Sequence, residues 1–316
     1  MKELLNKQIY FIGGKGGVGK STSAAAISML CAKQGFKTLL VSTDPAHNVG
    51  DIFHTKIGGK QKKLTDNLYA MEIDPEQETK KYIQSVKENL KGMIKSSLVD
   101  EVHRQIDTAA TTPGADEAAM FNAISSILLE EKDNFDKIVF DTAPTGHTIR
   151  LLTLPELMGV WIDGMVKKRK KINTNYSNLL NDGEPVEDPI YDTLQKRKEK
   201  FAAVRKLLLD QETTGFMFVL IPERLPILET EQAVKLLAKH DLYVDTLIIN
   251  KVLPNEADGS FLQRRREIEK EYLQVMEKTF KKQILIHIPL FEEDISSLQA
   301  LEDFSEHVGE AVLKKA

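Results

Sequence analysis

The chain is poor in cysteine. Its 316 residues hold one, Cys31, set among the alanines and leucines of an apolar stretch. One thiol cannot close a disulfide within the chain or build a thiolate or iron–sulfur cluster. Its setting reads as a small core hydrophobe rather than a reactive thiol. Long apolar runs are also missing, since none approaches the roughly 18 residues a membrane span needs. The opening Met1–Lys7 is too short and polar for a signal peptide. A large excess of charge is absent as well: the net value is −4, which speaks against bulk nucleic-acid binding. These absences predict a cytoplasmic, globular protein with no nucleic-acid partner. At 41% hydrophobic and 28% charged residues, the chain suits one large α/β domain or a domain with an insert.

What is present is a glycine-rich loop, Gly13-Gly14-Lys15-Gly16-Gly17-Val18-Gly19-Lys20-Ser21-Thr22. It contains G-x-x-x-x-G-K-[ST] from Gly14 to Ser21. The apolar run Gln8–Ile12 predicts a buried strand before it, and Ser21–Lys33 predicts a helix after it. A polyphosphate needs many donors crowded around small oxygens. Glycines let the backbone turn its N–H groups inward, and the helix N-terminus favours the anion. Lys20 is expected at the β- and γ-phosphates and the Ser21 hydroxyl at Mg²⁺. Lys15 is a second lysine inside the glycine run.

Further apolar runs at Lys37–Ser42, Leu68–Ile73, Lys137–Asp141, Phe216–Ile221, Thr246–Asn250 and Ile284–Ile288 alternate with helical patterns. That alternation predicts a doubly wound, mostly parallel sheet covered by helices, with ligands at the C-terminal strand ends. Gly13, Asp44, Asp141, Glu223 and Asn250 all fall at such ends. Residues 1–150 and 213–316 read as the α/β domain. Residues 151–212 break the rhythm and read as a helical insert, to which part of 76–133 is open to contribute. In it, Leu151–Val166 is apolar and Lys167–Lys171 is basic; a polar stretch with Pro185 and Pro189 then precedes a charged helix over Asp192–Asp210.

Asp141 ends a hydrophobic strand, where a P-loop protein keeps its metal-organising acid; a plain helix cap is the other reading. The following Thr142–Thr148, rich in small turn residues, predicts a loop that responds to the γ-phosphate. Asp44, in Ser42-Thr43-Asp44-Pro45-Ala46-His47-Asn48, either orients the attacking water or forms an Asp-Pro turn, and the residues alone leave both open. Asn250, which with Lys251 ends a strand, is a candidate base contact. A guanine reader would want an aspartate at the place of Leu253, so ATP is favoured.

With those motifs laid out, the chain resembles the family of arsenite-pump ATPase subunits and the eukaryotic targeting factor for tail-anchored membrane proteins. The runs G-G-K-G-G-V-G-K-S-T, S-T-D-P-A-H-N, P-G-A-D-E-A and D-T-A-P-T-G-H-T-I-R-L-L carry the likeness, which extends over Lys7–Leu301. The resemblance implies a P-loop ATPase domain with a helical subdomain, working as a homodimer. It implies that Lys15 reaches across the dimer to the partner's nucleotide, and that Asp44 is the catalytic carboxylate. It further implies that Asn48 belongs to the switch motif, and that Glu223, Asn250 and the loop at Pro289-Leu290 touch the nucleotide. ATP and Mg²⁺ are the cofactors expected.

The departures are chemical. Where the targeting factor has a zinc-binding C-x-x-C, this chain reads Phe261–Arg266 without cysteine, so no zinc is expected. Asp116 stands where the arsenite-pump subunit has an arsenic-binding cysteine, and the chain is one unit rather than two fused copies. The leading expectation is therefore a dimeric ATPase handling a hydrophobic or membrane-protein client. An arsenite or antimonite efflux ATPase and a membrane-surface or partitioning switch are the alternatives. Leu152, Leu154, Leu157, Met158, Val160, Trp161, Ile162 and Met165 either line a client groove or pack internally. Lys167–Lys171 reads as a solvated face, with acidic headgroups as the lesser alternative.

Overall fold

The computed structural model describes residues 5–44, 48–90, 99–110, 114–143, 145–180, 188–256 and 258–313. In chain order they form β1 (Ile9–Gly14), α1 (Lys20–Lys33), β2 (Thr38–Ser42), α2 (Asn48–Ile52), β3 (Lys62–Lys63), β4 (Leu68–Glu72), α3 (Pro75–Leu90), α4 (Val99–Ala110), α5 (Ala115–Glu130), β5 (Lys137–Asp141), α6 (Thr145–Leu180), α7 (Pro189–Leu209), β6 (Thr214–Leu220), α8 (Arg224–Ala238), β7 (Val244–Val252), α9 (Ser260–Thr279), β8 (Ile284–Pro289) and α10 (Leu298–Leu313). The strands make one sheet in the order β3-β4-β2-β5-β1-β6-β7-β8. Every pairing is parallel except β3 with β4.

β1, β2, β5 and β6 are buried at every residue, as a parallel sheet covered on both faces requires. On one face Phe11 stacks on Phe140 and Phe216, with centroids 4.6 and 5.5 Å apart, because register places the three side by side. The other face carries α1 and α10. Leu301, Phe304, Val308 and Val312 recur at helical spacing and join Ala26, Leu30, Leu40, Val139 and Ile248 in one apolar cluster. The apolar stripe of α10 is thus committed to the core.

The chain divides into two compact units. The first comprises residues 1–74, 130–149 and 208–316 and holds the whole sheet; the second comprises 75–129 and 150–207. In the second, α6 and α7 lie antiparallel, as their ion pairs run in opposite chain order: Glu156 with Arg205, Asp163 with Lys198, and Asp188 with Arg169. Asp188 accepts hydrogen bonds from the Ile190 and Tyr191 N–H groups at 3.1 and 3.3 Å. It therefore caps α7, and Pro189 takes the first helical position. The helix thus starts three residues before the Asp192 expected from sequence, because Pro189 opens a helix here rather than extending the loop. Of the apolar run after Leu151, Leu152 and Ile162 are buried while Val160 is 75% exposed. The side chains of Leu157 and Trp161 lie outside the described residues. Arg169 is paired with Asp188 and Lys167 with Asp163, whereas Lys168, Lys170 and Lys171 are exposed. Among the described residues no helix is long and apolar enough to cross a membrane.

Candidate functional site

Strand register sets the floor of the site. Ile12 of β1 and Ser42 of β2 both align with Asp141 of β5. The ends are tied together beyond the ladder. The Thr43 N–H and hydroxyl donate to the Asp141 carbonyl at 2.8 and 3.1 Å. The Thr142 hydroxyl donates to the Ile12 carbonyl at 2.8 Å. The run Thr142–Thr148, expected as a loop, is shorter than that: α6 begins at Thr145. The Thr148 hydroxyl lies 2.6 Å from the Ala143 carbonyl and 2.9 Å from the Thr142 hydroxyl, folding the turn onto the first helical residues.

The phosphate-binding loop runs from the end of β1 into α1. Gly14 has φ 147° and Gly19 φ 94°, a region that L side chains rarely adopt. A Cβ on Gly14 would lie 2.3 Å from the Val219 carbonyl, and one on Gly19 would lie 2.4 Å from Asn250 Nδ2. Both positions need glycine for space as well as for dihedral angle. Among the described residues no side chain caps α1, so its first N–H groups are left for an anion. The loop borders a cavity of about 650 Å³, the size of a small-ligand site.

Gly16, Gly17, Gly19, Lys20, Ser21 and Thr22 line one part of this cavity, and Asp44, Asn250 and Pro289 line others. Gly13, Gly14 and Val18 are buried behind them. Lys20 is 5% exposed, and its ammonium donates to the Lys15 carbonyl at 3.3 Å, folding the lysine back over its own loop. Another part is mixed: Pro289, Leu290, Phe291, Ile295 and Phe304 supply apolar surface, with the acidic Glu293 and Asp294 and the basic Lys251 among them. An N–H cradle together with apolar surface from Pro289, Leu290 and Phe291 suits a phosphorylated ligand with a flat base.

Asp141 is fully buried, and neither of its carboxylate oxygens has a hydrogen-bond partner among the described residues. Burial pushes its pKa up to about 7, against the pull of the nearby Ser21 hydroxyl and Lys20 ammonium. An orphaned buried carboxylate beside a P-loop serine fits a hydrated Mg²⁺, which would relieve the desolvation.

Besides the buried Gly13, Gly14 and Val18, the expected nucleotide contacts Lys15 and Glu223 do not line the cavity. Lys15 Nζ lies 2.9 Å from Glu229 Oε1, and Glu223 Oε1 lies 2.7 Å from an Arg265 guanidinium nitrogen. Asn250 lines the cavity, but its amide is committed to the protein: Nδ2 donates to the Val18 carbonyl and Oδ1 accepts from the Lys251 N–H, each at 2.9 Å. It braces the loop against β7, and one Nδ2 hydrogen and one Oδ1 lone pair remain beyond these two bonds. The Asn48 side chain and Pro45–His47 lie outside the described residues.

Sequence reasoning missed Asp51, Lys251, Phe291, Ile295 and Phe304 as cavity residues. Lys251 carried a signal, since it follows Asn250 at a strand end. Ile295 and Phe304 carried none. It also missed Glu72, a buried carboxylate that accepts from the Gly50 N–H at 2.8 Å and holds α2.

A mostly parallel sheet with a lysine-bearing phosphate loop after its first strand defines a P-loop nucleotide hydrolase. Residues 7–310 match the family model described as Anion-transporting ATPase, and the chain belongs to that family. A protein of Aquifex aeolicus named putative arsenical pump-driving ATPase 2 is 36% identical over 94% of this chain and 98% of its own length. ATPase ASNA1 homolog 2 of Paramecium tetraurelia is 33% identical over 94% of this chain and 91% of its own. ATPase GET3 of Eremothecium gossypii is 33% identical over 96% and 91%. The chain is an ATPase, and its reaction is hydrolysis of the nucleotide.

Proposed function

We propose that the protein is a cytoplasmic, homodimeric Mg²⁺-dependent ATPase whose nucleotide-driven opening and closing handles a hydrophobic or membrane-protein client. The observation that carries this reading is a phosphate loop with two lysines, one folded over its own cradle and the other pointing out of it. In the closed dimer Lys20 holds the β- and γ-phosphates of its own subunit, and Lys15 reaches the nucleotide of the second copy. Asp44 orients the attacking water and accepts its proton. Ser21, with Asp141 through water, would hold Mg²⁺, which neutralises charge on the phosphates when bound. Donors aimed at the γ-phosphoryl group stabilise charge that develops there, and a lysine delivered only on closure ties turnover to the conformational cycle. The client reading is supported by the switch motifs shared with tail-anchored-protein targeting factors; the second compact unit is the proposed client-binding part. Asp44→Asn and Lys15→Ala are each expected to lower turnover about 100-fold or more. Wild-type turnover in both would end the cross-subunit account.

A second reading, an arsenite-efflux ATPase, is favoured by the name of the Aquifex aeolicus relative. It meets a chemical obstacle. Arsenite needs thiolates, and Cys31 is fully buried with burial pushing its thiol up to about 11. Micromolar arsenite is expected to leave turnover unchanged; stimulation in a steady-state assay would restore the pump reading.

A further inference from the structure

Lys15 and Glu223, both expected at a nucleotide, do not line the cavity and are held in ion pairs by neighbours within the same subunit. Lys15 takes its backbone into the cradle, where its carbonyl accepts from Lys20, while its own ammonium turns away to Glu229 on α8. Glu223, at the N-cap of the same helix, is held by Arg265 on α9. Lys15 and Glu229 side chains are 37% and 39% exposed. The pair is therefore neither buried nor strongly bound.

We propose that Glu229 is a positioning residue for Lys15: it keeps the lysine docked on its own subunit until ATP on a second copy draws it across the interface. This rests on the reading that Lys15 acts in trans. A single half-exposed carboxylate holds a lysine weakly, whereas a triphosphate in a water-poor interface attracts it strongly. The exchange of one partner for the other makes closure sensitive to the nucleotide. It also keeps the lysine from its own cradle, where it would act before a second subunit arrived. Release of Lys15 leaves Glu229 solvated, so the exchange strands no buried charge.

The test uses full-length wild type, Glu229→Gln, Lys15→Ala and the double variant. ATP-dependent self-association is followed by sedimentation, and turnover is followed against protein concentration, at low and high salt. Glu229→Gln retains the size and hydrogen-bonding capacity of the side chain. It is expected to lower the protein concentration for half-maximal association and turnover about two- to five-fold at low salt. The shift should shrink in high salt. In the Lys15→Ala background the same substitution should leave association unmoved. No shift, a shift in the opposite direction, or an equal shift in both backgrounds overturns the proposal. Wild-type turnover by Lys15→Ala would instead remove the trans reading on which it rests, so the two failures are told apart.

Discussion

Gly19 shows how closely single residues are specified around the phosphate loop. Its φ of 94°, and the 2.4 Å that would separate Asn250 Nδ2 from a Cβ at this position, leave room for hydrogen alone. Gly19→Ala is expected to strain the loop and push Asn250 off the Val18 carbonyl. ATP affinity, measured by calorimetry, should then fall about ten-fold or more, the equivalent of one lost hydrogen bond to a well-placed group. Unchanged affinity would mean that the loop relaxes freely. The spacing of Lys20 and Ser21 is legible in the sequence because phosphate binding is local: the consecutive residues Gly13–Thr22 carry it. The state of Asp141 is not. Its orphaned carboxylate and raised pKa arise from burial beside Ser21, Lys20 and Ser42, which come from other strands and loops. The engaged amide of Asn250 is equally hidden, because its partner is Val18, far away in the chain.

At the scale of elements, α7 carries its own start signal. Asp188 accepts from two N–H groups of the first turn and also pairs with Arg169 of α6. Asp188→Ala is expected to destabilise the protein by about 1–2 kcal/mol, the cost of a lost N-cap, and to leave Arg169 without that partner. Urea unfolding monitored by circular dichroism checks this. An unchanged midpoint would show that the cap contributes nothing beyond the remaining α6–α7 pairs. The Asp-Pro pair is readable by capping rules, yet the same pair also suits a turn, and only the tertiary pairing with Arg169 decides between them. Other elements give less to read. β3 is two exposed lysines that are a strand only because they pair antiparallel with Tyr69 and Ala70 of β4. α6 runs through Pro155, which sequence rules treat as a breaker. The buried strands are the most legible elements, since a parallel sheet covered on both faces writes continuous apolar runs into the chain.

At the scale of the whole molecule, the proposed function makes each active site the joint work of two copies. On that proposal Lys20, Ser21, Asp44 and Asp141 come from one subunit, and Lys15 comes from the other. The placement of Lys15 on Glu229, away from its own cavity, is what a subunit waiting for its partner would have. Subunit mixing tests this most directly. Lys15→Ala and Asp44→Asn proteins, each with little turnover alone, are combined in equal amounts with ATP. A mixed two-fold dimer contains one site with both Asp44 and a partner's Lys15, and one with neither. Mixing is predicted to restore turnover to about a quarter of wild type, given random pairing. A mixture no more active than its separate components would contradict the joint site and place Lys15 in the service of its own subunit's nucleotide.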